Sequence, residues 1–166
     1  MNKLNIRYIY LLVILLLPFS SFAKIGLDIN GGALIHKQRV NDYGTIRDVT
    51  SMGGAVAAKV TYQSKFFEVG PYAEYGGMQK SSYLLFGGTA NVLIPVTDFQ
   101  VYAGVTGGMA NIGGEGGSSI GGQIGARYPI FSNLHFNTEV SFRHVSVNSL
   151  PDFNALGIMA GFHVKF

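Results

Sequence analysis

The feature that most constrains this chain is the strict two-residue period of its last twelve residues, Ala155 to Phe166. Leu156, Ile158, Ala160, Phe162, Val164 and Phe166 form one apolar row, while Ala155, Gly157, Met159, Gly161, His163 and Lys165 form a row that is small or polar. Alternation at that period puts one row on each face of a β-strand. The apolar row runs out to Phe166 with nothing polar beyond it. An aromatic there is unfavourable on a strand bathed by water and acceptable on one whose greasy face meets hydrocarbon.

The same period recurs in seven earlier stretches: Lys24 to Lys37, Thr50 to Tyr62, Phe66 to Gly77, Tyr83 to Ile94, Phe99 to Ala110, Ser118 to Tyr128 and Leu134 to Val145. Charged residues make up only 13% of the chain, against about 25% in an ordinary water-soluble domain. High apolarity without long apolar runs is the signature of alternating membrane strands. The expected fold is therefore all-β, an eight-stranded antiparallel up-and-down transmembrane β-barrel. Gln63 to Lys65, Pro95 to Asp98 and Pro129 to Asn133 read as short turns. Gln38 to Val49, Met78 to Ser82, Asn111 to Gly117 and Ser146 to Asn154 read as longer, more polar loops, the pattern of a barrel with its short side periplasmic and its loops extracellular.

Residues Met1 to Ala23 read as a signal peptide: Lys3 and Arg7 supply the positive start, Ile9 to Leu17 the apolar core, and Ser21-Phe22-Ala23 the small residues before cleavage. The expected domains are thus a leader, 1–23, and a barrel, 24–166, in a bacterial outer membrane. Of the 12 Lys and Arg residues two fall in the leader, leaving 10 against 9 Asp and Glu. Without a basic cluster, nucleic acid is excluded as a partner. The absence of cysteine excludes disulfides, thiol chemistry and a lipid-modified N-terminus.

Alternation alone does not separate a membrane barrel from a soluble one. The polar rows decide: they hold mainly Gly, Ala, Thr, Ser and Asn with a few charges of both signs, which suits a narrow filled interior rather than a wet exterior. Antiparallel placement brings Asp28, Lys59, Glu68, Arg127 and Glu139 to similar depth in the periplasmic half, with Glu74 and Arg143 higher. These seven are expected to form an interior polar network, because a buried charge is tolerated only with a partner. Eight strands leave room for side chains and little else, so the barrel is expected to be plugged. Tyr62, Phe66, Phe67, Phe99, Tyr128, Phe131, Phe136 and Phe166 read as one aromatic girdle, and Tyr75, Tyr83, Phe142 and Phe153 as the other.

Few residues suggest chemistry. Asn111 to Gly125 is glycine-rich but leads into a strand, so it reads as a flexible surface loop and not a phosphate-binding turn before a helix. His36, His135, His144 and His163 lie far apart without metal-ligand spacing, so neither a metal nor another cofactor is expected. On the seventh strand His144 and Ser146, two apart, share the lipid-facing row, so the imidazole could take the hydroxyl proton.

Gly161-Phe162-His163-Val164-Lys165-Phe166 resembles the C-terminal signature of bacterial outer-membrane β-barrel proteins. The resemblance implies that Phe162, Val164 and Phe166 are read by the barrel-assembly machinery. The whole chain after the leader resembles small eight-stranded outer-membrane proteins, the outer membrane protein A transmembrane domain and opacity-like adhesins. That likeness implies a non-enzymatic structural or surface-interaction role, with membrane lipid, lipopolysaccharide and a host or surface ligand at the loops as partners. Phe142-Arg143-His144-Val145-Ser146 also resembles lipid A 3-O-deacylases, which implies His144 as general base and Ser146 as nucleophile. That family has Asn directly after the Ser, where this chain has Val147, and its acid on the following strand, where this chain offers only Asp152 in a loop. The hydrolase is therefore the alternative reading.

Overall fold

The computed structural model describes residues 24–42, 45–77, 82–147 and 150–166. Eight strands follow in order: β1 (Lys24–Asp42), β2 (Thr45–Gln63), β3 (Phe67–Gly77), β4 (Ser82–Pro95), β5 (Gln100–Ile112), β6 (Glu115–Pro129), β7 (Leu134–Val147) and β8 (Leu150–Lys165). Each pairs antiparallel with its sequence neighbours, and β1 pairs with β8, so the sheet closes into a barrel. The expected leader, 1–23, lies outside the described residues.

The seal is made by the stretch that organises the sequence. Leu27 stands opposite Val164 and Ile29 opposite Phe162, and the ladder runs to the chain end, where the Phe166 amide donates to the Ile25 carbonyl at 2.9 Å. On β8, Leu156, Ile158 and Phe162 are exposed on the outer wall, whereas Ala155, Met159 and His163 are buried inside. Every strand shows the same division, with Ile29, Val60, Val69, Phe86, Val105, Ile124 and Val140 outward.

The strands at the loop end are longer than the alternation suggests. Of the expected loop Gln38 to Val49, residues up to Asp42 continue β1 and residues from Thr45 begin β2, paired rung by rung. The glycine-rich loop is also a hairpin: β5 ends at Ile112, β6 begins at Glu115, and Gly113 and Gly114 turn the chain at φ of 60° and 94°. Positive φ at both central residues is the turn that matches the twist of paired strands, and glycine adopts it without strain. Asn111 Oδ1 accepts from the Gly114 amide at 3.2 Å and fixes the turn. Apolar alternation in the sequence fades in the β1–β2 extension, yet the cross-strand ladder persists.

One girdle needs correction. Tyr75 and Phe142 lie on the lipid face, but Tyr83 and Phe153 point into the barrel, at 2% and 4% exposure. They belong to an apolar cluster filling the loop-end half of the lumen, with Leu34, Leu85, Ile112, Val145 and Val147. The interior is therefore mainly polar toward the short turns and mainly apolar toward the loops, with Glu74 meeting the cluster at the Tyr83 hydroxyl. Gly76 stands opposite Tyr83 across the β3–β4 ladder, and a Cβ on Gly76 would strike the Tyr83 ring. Gly76→Val displaces that ring from the lumen. It should cost about 1–3 kcal/mol, the usual penalty for overfilling a packed interior, read as an earlier loss of the compact band on heated gels.

Candidate functional site

The lumen network is built from the inward rows of all eight strands. Nearest the short-turn end, Arg127 on β6 forks onto Glu68 on β3, with Nη1 to Oε2 at 2.8 Å and Nη2 to Oε1 at 2.9 Å. Its Nη2 also donates to Asp28 on β1 at 3.0 Å. His163 Nδ1 stands 3.1 Å from Asp28, and Asn137 links Asp28 to Asn30. Two parallel N–H···O bonds fix guanidinium and carboxylate in one plane, so this group is rigid as well as paired. The guanidinium carbon lies 4.6 Å from the Tyr102 ring centre, adding a cation–π contact.

One level up, Lys59 on β2 is ion-paired with Glu139 on β7 and donates to Gln123 Oε1 at 2.9 Å. Gln123 passes the chain to Thr89 and Asn91, and Asn91 returns it to Glu68 at 2.7 Å. Tyr102 donates to Glu139 at 2.8 Å. Higher still, Arg143 on β7 donates to the Tyr72 hydroxyl at 3.1 Å and reaches Glu74 at 3.4 Å. Glu74 accepts from both Tyr72 and Tyr83. Asp28, Lys59, Glu68, Glu74, Arg127, Glu139 and Arg143 are all at most 2% exposed. The neutral connectors Tyr72, Tyr102, Gln123, Asn91 and Asn137 were not singled out as network members from sequence. Their signal was parity, since each shares its inward row with a charged or polar neighbour.

The histidines occupy three separate places. His36 sits in the apolar half of the lumen, edge-on to Tyr83 and Phe153 at 5.8 and 5.7 Å between ring centres. His135 and His163 meet edge-on at the short-turn mouth, at 5.8 Å. His144 alone is on the outer wall, half-exposed at the loop-end rim. Its Nδ1 lies 2.9 Å from Asn154 Oδ1 on β8, and its Nε2 is 3.9 Å from Asp152 Oδ2. Asp152 is thus on β8 rather than in a loop, and it does approach the imidazole. Ser146 shares the outward row, but the β7–β8 register slips between Val145 and Val147, on either side of it. Among the described residues His144 makes no hydrogen bond to Ser146, so nucleophile and base are not joined.

The architecture has solved counterparts. Neisserial surface protein A (NspA) superimposes with a TM-score of 0.63 at 16% identity, over 84% of this chain and 97% of that one. This chain has the fold of a small outer-membrane β-barrel. Also similar are Ail, the attachment invasion locus protein of Yersinia pestis, with a TM-score of 0.46 at 12% identity over 83% and 97%. The outer membrane protease OmpT of Escherichia coli gives 0.48 at 11% over 86% and 97%. No protein-family model and no curated protein matches the chain. At such identities the likeness speaks for the barrel, not for any one task performed on it.

Proposed function

We propose that this barrel is a bacterial outer-membrane protein with a plugged, non-conducting interior, acting as a structural or surface-interaction protein through its extracellular hairpins. The leader directs its export, and Phe162, Val164 and Phe166 present it to the assembly machinery. The observation that carries this reading is the lumen: seven paired charges, five toward the short turns and Glu74 and Arg143 higher, capped by an apolar cluster toward the loops. Such an interior offers a solute neither a wet path nor a free charge to follow. The hairpins are the parts that reach beyond the lipid, and β1–β2, the longest at 19 residues per strand, reaches furthest. Reconstituted in a planar bilayer, the barrel is expected to give no steady conductance. Ohmic steps that scale with salt concentration would replace the plugged reading with a channel.

A second reading, a lipid A 3-O-deacylase-like acyl hydrolase, is favoured by one observation, the orientation of His144 by Asn154 with Asp152 nearby. A base held by a third group is half of a nucleophilic site. The missing half is the bond from His144 to Ser146. We therefore expect no 3-hydroxy fatty acid release from lipopolysaccharide incubated with the purified barrel. Release abolished by Ser146→Ala would make the hydrolase the function.

A further inference from the structure

The outer wall changes chemistry abruptly at its loop end. The last apolar rung crosses Phe142, Leu156, Ile35 and Met52, each opposite the next on adjoining strands. The following rung on the same four strands is His144, Asn154, Lys37 and Thr50. One step along a strand, about 6.6 Å for two residues, separates them. The wall is thus wholly apolar at one level and wholly polar at the next, over four strands spaced about 4.8 Å apart.

The polar rung is held in place. Asn154 fixes the His144 ring at 2.9 Å, and Asp152 stands 3.9 Å from its other nitrogen. Lys37 is paired with Asp48 at 2.8 Å, and the Gln38 amide donates to the Pro151 carbonyl at 3.4 Å, tying β1 to β8. His144, Asn154, Asp152, Lys37 and Asp48 share the outward rows of their strands, where a neighbouring lipid presents its headgroup, whereas Gln38 and Pro151 lie on the inward rows. Because Lys37 is already engaged by a carboxylate, the rung does not offer the free cation that a phosphate selects. What it offers is a fixed imidazole, an amide, a carboxylate and hydroxyls, donors and acceptors matched to sugar hydroxyls.

We propose that His144, Asn154, Asp152 and Lys37 form a binding rung for the sugar headgroup of an outer-leaflet glycolipid. The rung lies on a convex wall and would bury little of a free sugar. A glycolipid is already held there by its acyl chains on Phe142, Leu156, Ile35 and Met52. Its headgroup therefore meets the rung at high effective concentration, and a few hydrogen bonds suffice. The inference rests on the outer-membrane reading given above.

The test places the full barrel in nanodiscs of phosphatidylethanolamine with an equal small fraction of lipopolysaccharide, and counts retained glycolipid by native mass spectrometry. The combined variant His144→Ala, Asn154→Ala and Lys37→Ala should retain about tenfold less, the size of one or two lost hydrogen bonds, with phospholipid retention unchanged. These side chains are exposed, and a preserved heat-modifiable band confirms the variant's fold. Equal retention by variant and parent overturns the proposal. So does loss of retention when the glycolipid is enzymatically dephosphorylated, which would assign recognition to phosphate. If the parent barrel does not enter lipid at all, the outer-membrane reading falls first, and that outcome is seen before any glycolipid is counted.

Discussion

Arg127→Met is expected to destabilise the barrel by about 3–5 kcal/mol, the cost of leaving buried charges without their partner. Arg127 is the cation that Asp28 and Glu68 share, and both carboxylates are fully buried beside it. Removing it leaves two negative groups at close range inside the closed sheet, with Asp28 facing only the neutral Asn137 amide and the His163 ring, and Glu68 the Asn91 amide. The chain has no tryptophan, so unfolding in urea is followed by far-UV circular dichroism in phospholipid vesicles. Adding Asp28→Asn and Glu68→Gln to Arg127→Met should recover much of the loss, because the stranded charge is then gone. A cost below about 1 kcal/mol, the range of exposed pairs, would mean that water screens the lumen and that the network is not a dry one.

Val140→Arg is the second large effect. Val140 lies on the outer wall near the middle of β7, at 43% exposure, level with Ile124 and Ile158 on the adjoining strands. An arginine at mid-bilayer depth on a barrel exterior costs about 2–4 kcal/mol, falling to about 0–1 near the interface. Thr50→Arg, on the polar rung, is the matched control and should cost little. The two substitutions add the same charge to the same wall and differ only in depth. Equal costs, measured by the same urea titration, would count against hydrocarbon around Val140. They would leave the barrel closed but in water.

The central parts of the strands were legible in the sequence because their two faces meet different surroundings. Ile158 and Val140 face outward while Met159 and Glu139 face inward, and a period of two is the record of that difference. Where the difference vanishes, so does the record. The stretch from Gln38 to Val49 carries no clear apolar row and reads as a loop, although the β1–β2 ladder continues to Asp42 and resumes at Thr45. Tyr83 and Phe153 show the opposite limit. Their parity, shared with Thr89 and Asn91 on β4 and with Ala155 and Met159 on β8, places them inside. Their position near strand ends suggested a girdle instead. An aromatic satisfies either an interface or a packed lumen, so its chemistry does not choose between them.

The candidate sites divide in the same way. Which charges share the lumen follows from parity and depth along each strand, both properties of local sequence. Which carboxylate each cation takes is a matter of register across strands far apart in sequence: Arg127 lies between Asp28 and Glu68, and Lys59 beside Glu139 and Gln123. The polar rung is likewise assembled from β7, β8, β1 and β2, and His144 is oriented by a residue on the next strand rather than on its own. By itself the sequence determined that eight strands of alternating chemistry would wrap into a barrel with a greasy exterior, because a side chain's face is fixed by its parity. Only closure of β1 on β8, which sets every register around the ring, decided which of the inward and rim groups touch.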